Sequence, residues 1–158
     1  MQKLSTILKI GALFFIIALA IGLYKAVPPP NPSPNPIFTN VKIERLNQNT
    51  LSINGQNFFI DLAVTPEESQ LGLSGRESLP PDRGMLFVFD KPGKWGFWMK
   101  DMHFPIDIIW LDESLKVIQV VENLSPNSYP KTFYPKKSAL YTLELPAGSW
   151  SNLFLSTE

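Results

Sequence analysis

The sequence predicts an all-β domain, an antiparallel β-sandwich or jelly-roll-like barrel with one short helix, behind an N-terminal transmembrane helix. Three observations predict it. About seven or eight short apolar runs are patterned with period two, turn residues separate most of them, and helix-start chemistry occurs once.

The chain divides by composition. In residues 1–27, Lys3 and Lys9 precede Ile10–Tyr24, a stretch of fifteen residues without a charge, and Lys25 follows. At about 1.5 Å per residue that run spans only about 22 Å against a hydrocarbon layer of about 30 Å. A helix over Leu4–Val27 is long enough if Lys9 and Lys25 snorkel to the two interfaces. A cleaved signal peptide is the rival reading, since Ala18-Leu19-Ala20 has the small-x-small form of a cleavage site. In both readings the leading lysines keep the N-terminus cytoplasmic and send the remainder out of the cytoplasm.

Residues 28–36, PPPNPSPNP, hold six prolines in nine positions. Proline lacks an N–H and fixes φ, so this segment reads as a polyproline II stalk of about 28 Å rather than helix or sheet. Residues 37–158 form the expected domain, and nothing in them repeats.

Within that domain, Val41–Leu46 alternates apolar and polar residues as a half-buried strand does. Leu51–Ile53 and Asn57–Val64 flank Asn54-Gly55, a pair suited to a type I′ hairpin turn. Thr65, Pro66 and Glu68 then supply an N-cap, a first-turn proline and the far member of a capping box. Gly72 and Gly75 hold the resulting helix to about two turns. Strands resume at Gly84–Asp90, Trp95–Lys100, Ile106–Leu111, Leu115–Glu122 and Ala139–Leu145, with Ser125–Lys137 a proline-interrupted loop.

Charge and composition exclude several functions. Fourteen basic residues balance fourteen acidic ones, and all the acidic ones fall after residue 36, so no basic surplus invites nucleic acid or anionic lipid. There is no cysteine, which removes disulfides, thiolate metal sites and a thiol nucleophile. His103 is the single histidine, which leaves no imidazole cluster for a metal, and no cofactor is implied.

Several motifs occur in one order: Gly72-Leu73, Arg76, Leu79-Pro80, Gly84-Met85-Leu86-Phe87-Val88-Phe89, Phe97-Trp98-Met99-Lys100, Pro105-Ile106-Asp107 and Leu143-Glu144-Leu145-Pro146-Ala147-Gly148. Over about residues 58–148 this resembles the uncharacterised bacterial and archaeal family called domain of unknown function 192. The resemblance implies a compact β-sandwich, often behind a signal or anchor, and no established activity. Where that family typically has Asn-Thr after FWMK, this chain has Asp101-Met102, so a role resting on that amide and hydroxyl is in question.

Asp107 lies in a strand apolar on both faces: Ile106, Ile108 and Trp110 on one, Ile109 and Leu111 beside Asp107 on the other. A buried carboxylate needs a cation or several donors. Arg76 is the expected partner, through its bidentate fork. Glu144, between Leu143 and Leu145, poses the same question. Two readings stay open: a polar network fixing loop to sheet, and a pocket built from Arg76, Asp107 and Glu144. Trp95, Phe97 and Met99 should share one face with Trp98 on the other, where it can stack on a sugar or an apolar side chain. The ligand-binding candidates are Arg76, Trp98, Lys100, Asp107 and Glu144. A triad around His103 and Asp101 lacks a serine in a strand-turn-helix setting. Asp101 with Asp107 as paired acids for glycoside hydrolysis rests on a separation that spacing does not give. The sequence therefore favours a membrane-anchored interaction module for an unidentified protein, small molecule or glycan. A small-molecule or carbohydrate-active enzyme is the alternative.

Overall fold

The computed structural model describes residues 42–47 and 49–155. The membrane segment and the proline stalk read from the sequence lie outside the described residues. Among the described residues no helix is long and apolar enough to cross a membrane.

The elements run β1 (Ile43–Asn47), β2 (Thr50–Ile53), β3 (Gln56–Ala63), α1 (Pro66–Leu71), β4 (Arg83–Gly93), β5 (Ile106–Leu111), β6 (Val117–Leu124), β7 (Ala139–Pro146) and α2 (Ser149–Asn152). A 3₁₀ turn over Pro126–Ser128 punctuates the loop before β7. The β2–β3 hairpin turns at Asn54 (φ 49°) and Gly55 (φ 86°), the two positive φ values that a type I′ turn requires. At α1 the capping box is complete. Thr65 Oγ1 accepts from Glu68 N, and Glu68 Oε2 accepts from the N–H groups of Thr65 and Val64.

A two-sheet sandwich does not form. The strands join one seven-stranded sheet, in the order β1-β2-β3-β4-β7-β5-β6, which curls as a half-barrel. All its pairings are antiparallel except β3–β4. That parallel pair arises because α1 and the segment after it carry the chain back before β4 begins. The Trp95–Lys100 strand also fails to appear: this stretch makes a single bridge, Phe97 to Phe133, with N···O distances of 2.9 and 2.8 Å. Glycines at 93 and 96 flank a segment that packs its aromatics without extending a ladder.

Period-two alternation puts a core on each face of the sheet. One core holds Ile53, Phe58, Ile60, Ile109, Leu143 and Trp150, with Ile43 of β1 and Val117 of β6 packed against it. Residues from both edge strands meet there, so the sheet curls around this core. The other contains Met85, Phe87, Ile108 and Trp110, roofed by Leu73, Phe97, Met99 and Met102 from the segments over the sheet. All six residues of β5 are buried, because it is covered on both sides. Gly84 lets the central strands close up: a Cβ there would stand 2.7 Å from both the Glu144 carbonyl oxygen and Leu145 Cδ2.

Candidate functional site

β5 and β7 position the two acids singled out by sequence, and they send them to opposite faces. Asp107 sits with Ile109 and Leu111, fully buried. Its Oδ1 accepts from Asn123 N (2.8 Å) and Gly148 N (3.1 Å), and its Oδ2 accepts from Trp150 N (2.9 Å). These donors belong to β6, the turn after β7 and the first turn of α2. Gly148, the N-cap of α2, has no side chain to satisfy the helix, and Asp107 supplies the missing acceptor from another strand. The Arg76–Asp107 pair expected from the sequence is therefore not made. Three backbone donors already satisfy this carboxylate, which joins the P-I-D and P-A-G motifs as a structural clasp.

Arg76 binds Asp61 instead. Its Nη1 lies 2.7 Å from Asp61 Oδ2, and Arg83 Nη1 lies 3.8 Å from Asp61 Oδ1. Asp61 is on β3, opposite Met85 of β4, and Met85 is opposite Glu144 of β7. Asp61 and Glu144 thus lie in one cross-strand row on one face, two strand spacings or about 10 Å apart at the backbone. The signal for Asp61 was present in the sequence: it interrupts the apolar run of β3 as Asp107 interrupts β5.

Glu144 is only 5% exposed. Among the described residues no side chain or backbone N–H donates a hydrogen bond to its carboxyl group. Burial pushes its pKa up to about 8, against a smaller downward pull from the Arg76 guanidinium. Two positions before it on the same face, Thr142 Oγ1 is buried without a hydrogen-bond partner. An acid that is neutral near pH 7 and holds no internal donor marks Glu144 as the candidate site residue.

Above Glu144 opens a cleft of about 490 Å³ between α1 and the segment from Trp95 to Met102. Its walls are mostly apolar: Leu73, Phe87, Phe89, Trp95, Phe97 and Met102. The aromatic wall is rigid. Phe89 stacks on Trp95 with centroids 4.4 Å apart, and Phe97 meets Phe87 edge-on at 4.8 Å. Trp110 Nε1 donates to the Trp95 carbonyl at 3.1 Å and anchors that wall to β5. Leu71 and Trp98, both exposed, stand at the mouth with Asp90 and Lys91. A volume of this size, mostly apolar walls and a few polar groups, with a buried carboxyl at the floor, are the attributes of a small-molecule site.

The candidates thus separate. Glu144 and Trp98 line the cleft, Arg76 acts on Glu144 through its field, Asp107 is on the far face, and Lys100 is exposed with its carbonyl accepting from Ser74 Oγ. His103 is exposed beside Glu77, 3.5 Å away. Asp101 adopts φ 54°, a left-handed position that Asn and Asp both tolerate. Met102 is buried in the cleft wall, so no hydroxyl contributes there. Among the described residues no group of three potential metal ligands occurs.

Comparison with known proteins now bears on this arrangement. The profile of DUF192, described as "Uncharacterized ACR", matches residues 49–158. The chain belongs to this family. No curated protein matches it. Two crystal structures are similar to this DUF192 chain. One is a Sinorhizobium meliloti 1021 protein bearing a provisional transcription-regulator name. It is 31% identical, with a TM-score of 0.59, over 61% of this chain and 74% of its own. The other is a Novosphingobium aromaticivorans DSM 12444 protein of unknown function, 26% identical with a TM-score of 0.60, over 72% of this chain and 76% of its own.

Proposed function

We propose that this DUF192 protein is a membrane-anchored, extracytoplasmic binding module that takes a small molecule with an apolar body into the cleft between α1 and the Trp95–Met102 segment. The observation that carries the reading is Glu144, a buried carboxyl group without a hydrogen-bond donor at the floor of an aromatic-walled cleft. A protein rarely keeps such a group at the expense of stability unless the site uses it. The anchor and stalk rest on the lysine-flanked apolar run and the six prolines that precede the domain. The regulator name of the Sinorhizobium protein is not carried over. Among the described residues the two α-helices have six and four residues, too short for a recognition helix, and residues 37–158 carry more acidic than basic groups.

A second reading, a small-molecule or carbohydrate-active enzyme, is favoured by one observation. An acid with a pKa of about 8 can donate a proton at neutral pH. Asp61, the other carboxylate on that face, is held by Arg76 and does not line the cleft, and Asp90 stands only at its exposed mouth, so no second acid sits beside Glu144 on the floor.

The test is a fragment screen by thermal shift on the full chain, alongside Ser69→Trp. Ser69 is a half-buried residue of α1 on the cleft wall, and an indole there fills the cleft. Apolar-bodied fragments should raise the melting temperature of the wild type and not of Ser69→Trp. Equal shifts in both would place binding elsewhere and end the cleft reading.

A further inference from the structure

The charges around Glu144 narrow the ligand class, given the cleft reading above. Arg76 is the charged group whose field reaches the Glu144 carboxyl. Behind it, Asp61 of β3 holds both Arg76 and Arg83, so two guanidinium groups share one carboxylate. The strands on either side, β4 and β5, bring only Met85 and Ile108 to this row. Asp90 and Lys91, both exposed at the mouth, bring one charge of each sign. With Glu144 neutral, Arg76, Arg83 and Asp61 leave one surplus positive charge behind the Glu144 end of the cleft, which none of the three lines, and Glu144 offers an O–H donor that no described group accepts.

We propose that the cleft recognises an organic acid, an apolar or aromatic body carrying a carboxylate that accepts a hydrogen bond from the Glu144 carboxyl group in the field of Arg76. One proton and one negative charge are then shared between two carboxyl groups, and the surplus cation is neutralised. An amine would require Glu144 to ionise inside an apolar site and would itself lie in the field of the Arg76 guanidinium. A neutral amide would satisfy the hydrogen bond and leave the positive charge unanswered. The aromatic wall of Phe87, Phe89, Trp95 and Phe97 accepts a flat body.

Because Glu144 must hold its proton, affinity for the acid falls as pH rises through about 8, and it should be about tenfold weaker at pH 9 than at pH 7. The experiment is calorimetric titration of the full chain in lipid nanodiscs, against empty nanodiscs, with phenylacetate, phenylacetamide and phenethylamine. Phenylacetate should bind at least about tenfold tighter than phenethylamine at pH 7 and show the alkaline loss, with an order of acid, amide, amine. Glu144→Gln keeps a donor that does not titrate, so it should bind phenylacetate within a few-fold of wild type at pH 7 and lose the pH dependence.

Tighter binding of the amine, an acid affinity indifferent to pH in the wild type, or loss of acid binding in Glu144→Gln would each overturn the assignment. Binding of the amide or amine in preference to the acid would do so while leaving the cleft reading standing. Failure of all three probes would also overturn it, whereas the cleft reading falls only if Ser69→Trp fails to discriminate in the fragment screen.

Discussion

Replacing Glu144 with glutamine should stabilise the domain, and by an amount that grows with pH. The folded state holds the Glu144 proton up to about pH 8, whereas the unfolded chain releases it near 4.5. Between those values the folded state binds one proton more than the unfolded state, so stability declines as pH rises. The slope is about 1.4 kcal/mol per pH unit. The accumulated loss at pH 7 is about 3 kcal/mol, and above pH 8 it levels off at roughly 5, a large part of the ~5–15 kcal/mol that holds a domain together. Glutamine keeps the shape and cannot ionise. The assay is urea unfolding of residues 37–158 from pH 4.5 to 9, wild type against Glu144→Gln. The two should coincide near pH 4.5 and diverge to about 3 kcal/mol at pH 7, with the variant the more stable. Glu68 acts in a separate window. The Val64 and Thr65 N–H groups lower its pKa, so its contribution is present above about 4.5 and is lost only as pH falls further. Parallel curves across the whole range, or a variant less stable at pH 7, would refute the argument that Glu144 is a buried, unpartnered acid.

Three further outcomes are expected. Residues 37–158 should fold without the first 36, since both cores are built from residues after the stalk, and a protease-resistant circular dichroism melt of that fragment checks it. Mass spectrometry of the protein from membranes should find the N-terminal segment uncleaved, because a cut after Ala20 would expose Ile21, Gly22 and Leu23 at a new terminus; a start at Ile21 would mean secretion. Asp107→Ala should cost about 3 kcal/mol or more and lower the melting temperature by more than about 10 °C, as the buried N–H of Trp150 and the part-buried N–H groups of Asn123 and Gly148 lose their acceptor. Asp107→Asn should fall between, its single oxygen still serving Asn123 and Gly148, and a shift of a degree or so for the alanine variant would end the clasp reading.

Local chemistry was legible in the sequence. Asn54-Gly55 and the Thr65–Glu68 box each act within four residues, and both form as read. The split of Ile106, Ile108 and Trp110 from Ile109 and Leu111 onto separate cores followed from period two alone. The same alternation set Phe97 and Met99 apart from Trp98, and the structure buries the first two and exposes the third, although the strand assumed for them does not exist. Pairing was not legible, because nothing local says that α1 returns the chain parallel to β3, and one parallel pair separates a curled sheet from a sandwich. The site failed for the same reason. Asp61, Asp107 and Glu144 look alike in sequence, as acids within apolar strands, and only the register decides that Asp61 shares a row with Glu144 while Asp107 points to the other face.

That division of three similar acids is the physical content of the site. Asp107 is buried as deeply as Glu144, yet three N–H donors hold it. Asp61 is half-exposed and meets two guanidinium groups. Both are compensated by the protein itself, as buried or partly buried charge ordinarily is. Glu144 receives only the distant field of Arg76, and its burial is opposed by nothing nearer. Packing does not require an acid there, since Met85 and Ile108 flank it and a leucine or glutamine would fill the row without the ionisation cost. Among the described residues Glu144 finds no such compensation inside the fold. The aromatic cleft opens onto Glu144, and there the proposed ligand would supply the missing partner.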